Sequence, residues 1–245
     1  MLHLRDLGVL HLDALTATGE TLGTVLEWWE TSERRARMKQ VLLDQQGIDA
    51  DGVFHHDGPA RVFTSEAGAM AAIKAREVAP GDVMVIMGGG PLGTGMEETY
   101  QVTSALKHLS YGKEISLITD ARFSGVSTGA CLGHVGPEAL AGGPIGKPRD
   151  GDLVEIRIDV AGLEGTVDYV GDADARVTPQ EGARILAARA PHPDLAPHRQ
   201  LPDDTRLWAA LQEASGGTWN GSVYDTDRIV AVLRAGLDAL DGTAS

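Results

Sequence analysis

Apolar residues at helical spacing predict several helices along the chain. Residues 22–43 place Leu22, Leu26 and Trp29 on one face, with charged residues opposite or beyond them. Residues 64–76 begin with Thr and Ser and continue with spaced Ala, Met and Ile, which is typical of a short capped helix. Similar periodicity and cap signals predict further helices over residues 96–109, from 178 to before Pro191, near 206–213 and over 225–240.

Short apolar runs predict strands between these helices. Residues 82–87 form an apolar run, and residues 115–119 are apolar on both faces, as in a covered sheet. Residues 152–160 and 163–170 alternate on either side of an Ala-Gly pair, which predicts a hairpin. Residues 45–62 are rich in Gly, Asp and Pro and predict turn and loop. The mixed order of elements indicates an α/β fold with a mixed or barrel-like sheet.

Two of the predicted strands lead into loops rich in glycine and polar residues. Residues 88–98 read GGGPLGTGMEE, and residues 120–146 contain DARFSGVSTGACLGHVGPEALAGGPIG. Two such strand-loop units indicate one shared site. The first loop fits neither the phosphate-binding nor the dinucleotide-binding glycine pattern. Its backbone N–H groups suit an anion such as a carboxylate, and a purely structural turn is the alternative.

Composition narrows the class of protein. The chain has 245 residues, of which 42% are hydrophobic and 23% charged, as expected of a soluble globular protein. No apolar run reaches membrane-spanning length, and the polar-interrupted amino terminus lacks the apolar core of a secretory signal, so we expect a cytoplasmic protein. The formal net charge of −14 argues against nucleic-acid binding, which rests on Lys and Arg.

Several residues of the two loops are candidates for chemistry. Ser124 is either a base, if nearby donors stabilise its alkoxide, or a turn serine that caps the following segment. Glu98 is either a carboxylate that complements a helix start or a hard oxygen ligand for a cation. Thr94 and Arg122 are candidate substrate contacts, because the guanidinium fork of arginine matches a carboxylate. Asp120 is either a further contact of this kind or, as readily, a loop-ordering acceptor.

Histidine and cysteine offer weaker candidates. His134 lies between Gly and Val, where a hydrogen-bonded structural role is favoured over metal binding. His55 and His56 fall in the predicted loop and lack cysteines at zinc spacing. Cys131 is the single cysteine of the chain, so it forms no internal disulfide and cannot by itself hold an iron–sulfur cluster.

The strings GGGPLGTGMEETYQVTSALK, LITDARFSG and GHVGPEALAGGPIG resemble the carboxy-terminal domain of the dihydroxy-acid and sugar-acid dehydratases. The resemblance extends over nearly the whole chain. The details GTGMEETYQ, DARFSGVSTGAC and LPDDTRLWAALQ are most similar to the branch that acts on aldonic acids, with the xylonate dehydratases as the nearest match. Strings of this length in matching order are far more specific than a lone glycine motif.

The resemblance implies a swivelling β/β/α barrel-like domain over residues 51–245, with flanking helices and a helical tail. Residues 1–50 then correspond to the helical end of a preceding domain that is mostly absent. A strand with an Asn-x-x-Pro-x-Gly signature is expected near residues 45–62, and the chain lacks it.

The resemblance also implies a hydro-lyase that converts an aldonic acid such as xylonate to a 2-keto-3-deoxy acid. In this scheme Ser124 is the base and Glu98 a magnesium ligand, with Glu97 as the alternative ligand. The family's iron–sulfur cluster would be held by an amino-terminal half, since its cysteine ligands are absent here. We also expect a homo-oligomer. Two alternatives are a folded half without turnover that acts as a docking module, and a dihydroxy-acid dehydratase of branched-chain amino-acid synthesis.

Overall fold

The computed structural model describes residues 1–49, 51–125, 127, 129–217 and 223–243. The chain divides into two compact units, one comprising Met1–Phe54 with Asp159–Glu164 and the other His55–Ile158 with Gly165–Ser245. The domain boundary predicted at residue 50 lies outside the described residues, and the assignment of residues 1–50 to a preceding domain stays a prediction. None of the described helices is long and apolar enough to cross a membrane.

The first unit contains three helices, α1 (Leu2–Asp6), α2 (Leu22–Thr31) and α3 (Glu33–Gln46). The single helix predicted over residues 22–43 is therefore two helices that are separated at Ser32. Ser32 has extended backbone angles, and its hydroxyl accepts a hydrogen bond from the N–H of Arg35 at 3.2 Å. Ser32 therefore ends α2 and caps the start of α3, a boundary that apolar spacing alone does not show.

The described residues form a six-stranded sheet with the order β6-β4-β2-β1-β7-β8 and a separate two-stranded ladder, β3-β5. The strands are β1 (Val53–Phe63), β2 (Val83–Ile86), β3 (Glu98–Thr99), β4 (Ser116–Thr119), β5 (Arg122–Phe123), β6 (Cys131–Leu132), β7 (Leu153–Asp159) and β8 (Glu164–Tyr169). The four strands from β6 to β1 are parallel, and β7 and β8 form the predicted hairpin. The predicted α/β class with a mixed, barrel-like sheet is confirmed, since the sheet curls into a half-barrel.

The prediction of a loop over residues 45–62 is wrong, because β1 occupies most of this range. Gly58 and Pro59 were expected to break regular structure. A Cβ atom at Gly58 would instead collide with the carbonyl oxygen of Gly81, so this glycine permits a close approach of β1 to the turn that precedes β2. His56 lies on the same strand, and its Nε2 is 3.0 Å from the carbonyl oxygen of Gly81.

The parallel strands β2 and β4 are buried along their whole length. Helices α4 (Glu66–Ala75) and α5 (Gln101–Leu106) pack on one side of them and close a hydrophobic core. The core residues include Ala69, Ile73, Met84, Val102 and Leu117. Burial on both faces explains why these strands read as continuous apolar runs.

The helix predicted over residues 96–109 is wrong at its start, because α5 begins only at Gln101. Met96 has a φ of +66°, and Glu98–Thr99 form β3, so neither position is helical. The helix start is stabilised from a distance by Glu66, which accepts hydrogen bonds from the N–H groups of Gln101 at 2.7 Å and Val102 at 3.2 Å. Glu97 and Glu98 therefore do not serve as first-turn carboxylates of this helix.

The remaining helices agree with the predictions: α6 (Pro179–Ala188), α7 (Asp203–Ala214) and α8 (Thr226–Thr243). The hydroxyl of Thr178 accepts a hydrogen bond from the N–H of Glu181 at 3.2 Å and caps α6 as expected. Residues 191–202 contain no helix or strand, in agreement with their proline content.

Two helical glycines, Gly182 in α6 and Gly236 in α8, provide a matched test of how closely each helix packs against its surroundings. A Cβ at Gly182 of α6 would collide with the carbonyl oxygen of Tyr169, whereas no described atom lies within 4 Å of a Cβ at Gly236 of α8. We expect Gly236→Ala to raise the free energy of unfolding by up to about 1 kcal/mol through helix propensity. Gly182→Ala should lower it by about 1–3 kcal/mol through overpacking. Urea unfolding of the 245-residue chain measures both values, and equal effects of the two substitutions would contradict the described contact.

Candidate active site at the glycine-rich loops

Two loops meet at one edge of the sheet. We call residues 88–97, which follow β2, the glycine loop, and residues 133–143, which follow β6, the second loop. Because β2, β4 and β6 are parallel neighbours, the segments that follow them begin at the same edge. The β3-β5 ladder pairs Glu98 with Arg122, so the end of the glycine loop lies beside the segment that follows β4.

The carboxylate of Asp120 connects these segments. Asp120 is only 2% exposed, and it accepts hydrogen bonds from the N–H groups of Gly88 at 3.2 Å, Gly89 at 2.9 Å and Ala139 at 2.9 Å. Burial raises the pKa of Asp120, and the backbone donors oppose this shift. The interpretation of Asp120 as a loop-ordering acceptor is confirmed by these contacts.

A second buried carboxylate, Glu138, was not singled out from the sequence. It accepts a hydrogen bond from the N–H of Leu92 at 3.0 Å, and a Cβ at Gly90 would collide with it. Burial raises the pKa of Glu138 to about 7, and the negative charges of Asp120 and Glu213 act in the same direction. The signal in the sequence was a lone carboxylate in the otherwise uncharged string GHVGPEALAGGPIG.

The glycine loop borders a cleft that encloses about 520 Å³ of space, part of it open to solvent. Thr94, Glu97 and Glu98 line this cleft, and both glutamates are exposed. The hydroxyl of Thr94 donates to the carbonyl oxygen of Gly89 at 2.8 Å and accepts from the N–H of Glu97 at 3.0 Å. Thr94 thus holds the loop in shape and also faces the cleft.

Arg122 and Ser124 lie next to this cleft rather than among the described residues that line it. The side chain of Arg122 is exposed, and its Nε donates to the carbonyl oxygen of Met96 at 2.7 Å. Ser124 is half-buried directly after β5, and its carbonyl oxygen accepts from the N–H of Ser127 at 3.0 Å, as in a turn. The structure therefore brings Glu98 and Arg122 together through strand pairing and places Ser124 two residues beyond Arg122.

The described residues contain no group of three or more His, Cys, Asp or Glu side chains that could hold a metal ion. Glu97 and Glu98 supply exposed carboxylates, which suit part of a magnesium ligand set, since this cation is usually held by one or two carboxylates with water or substrate. Cys131 does not fit an iron–sulfur cluster, because it is a single thiol and burial raises its pKa to about 11.

His134 has a backbone role in the second loop. Its φ is +55°, and its N–H donates to the carbonyl oxygen of Ala121 at 2.8 Å. These backbone features do not involve the imidazole, so the structural interpretation of the side chain stays a prediction.

Comparison with known sequences identifies the family. The profile described as Dihydroxy-acid/6-phosphogluconate dehydratase C-terminal matches residues 39–189. The chain therefore belongs to this family, as its loop motifs indicated. Residues 190–245 lie beyond the matched range.

Relatives in two groups are similar to this chain. D-xylonate dehydratase YagF of Escherichia coli is 56% identical over 98% of this chain, and D-xylonate dehydratase YjhG of the same organism is 52% identical over 96%. A dihydroxy-acid dehydratase of Renibacterium salmoninarum is 40% identical over 67% of this chain. The chain spans less than half the length of these relatives, namely 44%, 43% and 32%. The alignment with YagF extends over 285 positions, more than the 245 residues of this chain, so it includes residues of YagF that have no counterpart here.

The raised pKa of Glu138 predicts a pH-dependent stability. The folded-state pKa of about 7 exceeds the ordinary value of 4.5, so the folded protein binds more protons between these pH values and loses stability as the pH rises through them. Glu138→Gln keeps an acceptor for Leu92 but removes the charge. We expect the stability of this variant relative to wild type to increase from pH 5 to pH 7.5 in urea unfolding. The exposed control Glu77→Gln should show no such increase, and a constant difference for Glu138→Gln would refute the raised pKa.

Proposed function

We propose that this chain is the carboxy-terminal part of a hydro-lyase that removes water from an aldonic acid such as D-xylonate and yields a 2-keto-3-deoxy acid. The observation that carries the proposal is the identity of more than half of the aligned residues with two D-xylonate dehydratases over nearly the whole chain. The dihydroxy-acid dehydratases have lower identity over a smaller part of the chain, so a branched dihydroxy acid is the less supported substrate.

In the proposed reaction Ser124 removes the proton from C2, next to the substrate carboxylate. A serine accepts a proton effectively only when its alkoxide is stabilised by positive charge or oriented donors. Arg122, two residues earlier, is an exposed cation at the same end of the ladder. We assign its guanidinium to the substrate carboxylate, for which its fork geometry is suited. The proton moves from C2 to the alkoxide Oγ of Ser124, and the electron pair of the C2–H bond forms the C2–C3 double bond as the C3 hydroxyl leaves and takes up a proton as water. The resulting enol tautomerises to the 2-keto-3-deoxy acid, and Thr94 and the glycine loop shape the adjacent cleft.

Glu98 is the proposed magnesium ligand of this chain. It is exposed, lines the cleft and pairs with Arg122 across the ladder. When bound, magnesium supplies positive charge that favours the loss of the C2 proton. The other ligands come from water, substrate or the amino-terminal part of the enzyme. Glu97 lines the same cleft and remains the alternative ligand.

The iron–sulfur cluster implied by the family does not fit the residues of this chain, so we assign no step to it. A cluster takes several thiolates, and the chain has one cysteine. We propose that the cysteine ligands belong to the amino-terminal part of the enzyme, with which this chain forms the complete catalyst. The 245-residue chain alone then folds and docks without turnover. Assembly of the complete enzyme into a homo-oligomer and a location in the cytoplasm remain part of the proposal.

The role of Ser124 is tested in the complete enzyme, which we expect to dehydrate D-xylonate. Ser124→Ala should lower kcat by about 10²- to 10⁴-fold, the contribution of a positioned base. Ser127→Ala is a matched control, because Ser127 is in the same loop and its hydroxyl is engaged with that of Thr103 at 3.2 Å. The control should keep kcat within about threefold of wild type. Near-normal turnover of Ser124→Ala, with a wild type that is active, would remove Ser124 from the mechanism.

The magnesium assignment is tested by a pair of adjacent substitutions. We expect Glu98→Gln to raise the magnesium concentration that gives half-maximal activity by about tenfold or more, because a neutral amide is a poorer ligand for a hard dication. Glu97→Gln should leave this concentration nearly unchanged. Titration of magnesium into the chelator-treated enzyme measures both values. The reverse pattern would move the assignment to Glu97, and no change in either variant would exclude both residues.

A further inference from the structure

The segment that follows the family match packs against the glycine loop. The N–H of His198 donates to the carbonyl oxygen of Gly93 at 2.8 Å. A Cβ at Gly88 would lie 3.0 Å from Cδ1 of Leu195, and a Cβ at Gly95 would collide with Thr205. We call residues 192–205 the tail segment. Its contacts cover the glycine loop on the side of the cleft.

The tail segment lies beyond the domain that the family profile describes. The family profile ends at residue 189, before the tail segment begins. The alignment with YagF covers 98% of the chain and so includes the tail segment. A structural segment that is shared with the D-xylonate dehydratases and lies beyond the common domain is suited to distinguish their substrates.

Two residues of the tail segment, Ala196 and His198, line the cleft together with Thr94, Glu97 and Glu98. Nδ1 of His198 accepts a hydrogen bond from the N–H of Gln200 at 3.3 Å. In the neutral ring this leaves the proton on Nε2, which can donate to an oxygen atom. The tail segment thus adds a hydrogen-bond donor to the cleft, whose lining residues outside the tail segment lie within the range that the family profile matches.

The chemistry of the two substrate classes differs beyond C3. An aldonic acid carries hydroxyl groups on its distal carbons, whereas a branched dihydroxy acid carries alkyl groups there. Arg122 and Ser124, which we assigned to the carboxylate and C2, lie beside the cleft, and Glu98 lines it, so the remainder of the cleft near Ala196 and His198 is available for the distal carbons. A site that hydrogen-bonds a substrate hydroxyl rejects an analogue without it far better than an apolar pocket rejects an added hydroxyl.

We infer that the tail segment determines the substrate specificity of this site and that His198 donates a hydrogen bond to a distal hydroxyl of the aldonic acid. The inference rests on the proposed function and deepens it. His198 then favours aldonic acids by binding, and it takes no part in removal of the C2 proton.

The test compares two histidines of the tail segment in the complete enzyme. His192 matches His198 closely: its N–H donates to the carbonyl oxygen of Gly146 at 2.7 Å and its Nδ1 accepts from the N–H of Asp194 at 3.2 Å. His192 is not among the described residues that line the cleft. Alanine substitution of either histidine keeps the main-chain hydrogen bond, so the pair separates the cleft contact from the local fold.

We expect His198→Ala to raise KM for D-xylonate about tenfold, the effect of one lost hydrogen bond to substrate, with kcat changed less than threefold. The inhibition constant of 2,3-dihydroxy-3-methylbutanoate, measured as a competitor of D-xylonate, should stay within twofold of wild type because it has no distal hydroxyl. His198→Gln, which retains a donor, should recover part of the lost affinity. His192→Ala should change neither constant.

The results that would contradict this inference can be told apart from one another. Equal weakening of D-xylonate and the competitor in His198→Ala would assign His198 a structural role, and an unchanged KM would exclude the contact. If His198→Ala fails to fold, His198→Gln carries the same comparison with 2,3-dihydroxy-3-methylbutanoate. A wild-type enzyme that binds neither compound and dehydrates no aldonic acid would overturn the proposed function, and this inference with it.

Discussion

The buried carboxylate of Asp120 is the constraint on which the arrangement of the loops depends. A carboxylate in this position is costly unless donors satisfy it, and three backbone N–H groups from two loops do so. The same bonds fix Gly88 and Gly89 relative to Ala139. Asp120 lies directly after β4, so its hydrogen bonds fix the positions of the loops relative to the sheet. Removal of this acceptor would leave three buried donors without their partner.

The glycines of the loops serve this close packing. A Cβ at Gly89 would lie 2.6 Å from the Cβ of Ala121, and one at Gly93 would collide with the carbonyl oxygen of Gly88. These positions are therefore occupied by glycine because neighbouring chain segments leave no room for a side chain. This packing accounts for the glycines without a role in phosphate binding. Within this tightly folded loop, Thr94 and the two exposed glutamates line the cleft.

The sequence predicted those elements whose signals are local. The cap at Thr178 and the β7-β8 hairpin depend on neighbouring residues, and both were found. The start of α5 depends on Glu66, more than thirty residues away, and could not be read from its own segment. Strand β1 was missed because the requirement for Gly58 comes from Gly81 on another segment. The roles of Glu98 and Ser124 come from the resemblance of their motifs and stay predictions, whereas Glu138 acquires its properties only through burial.

The contacts that order the candidate site come from this chain. Asp120 and Glu138 bind the backbone of the glycine loop, and Leu195 and His198 of the tail segment contact it as well. What the chain does not supply is the set of thiolates for an iron–sulfur cluster. The proposed division of labour follows from this difference. In the division of labour that we propose, this chain presents the surface for the proton transfer and for the distal end of the substrate, and the other part of the enzyme holds the cluster. Because the loops of this chain are already ordered by its own contacts, the proposed assembly does not require them to fold on docking.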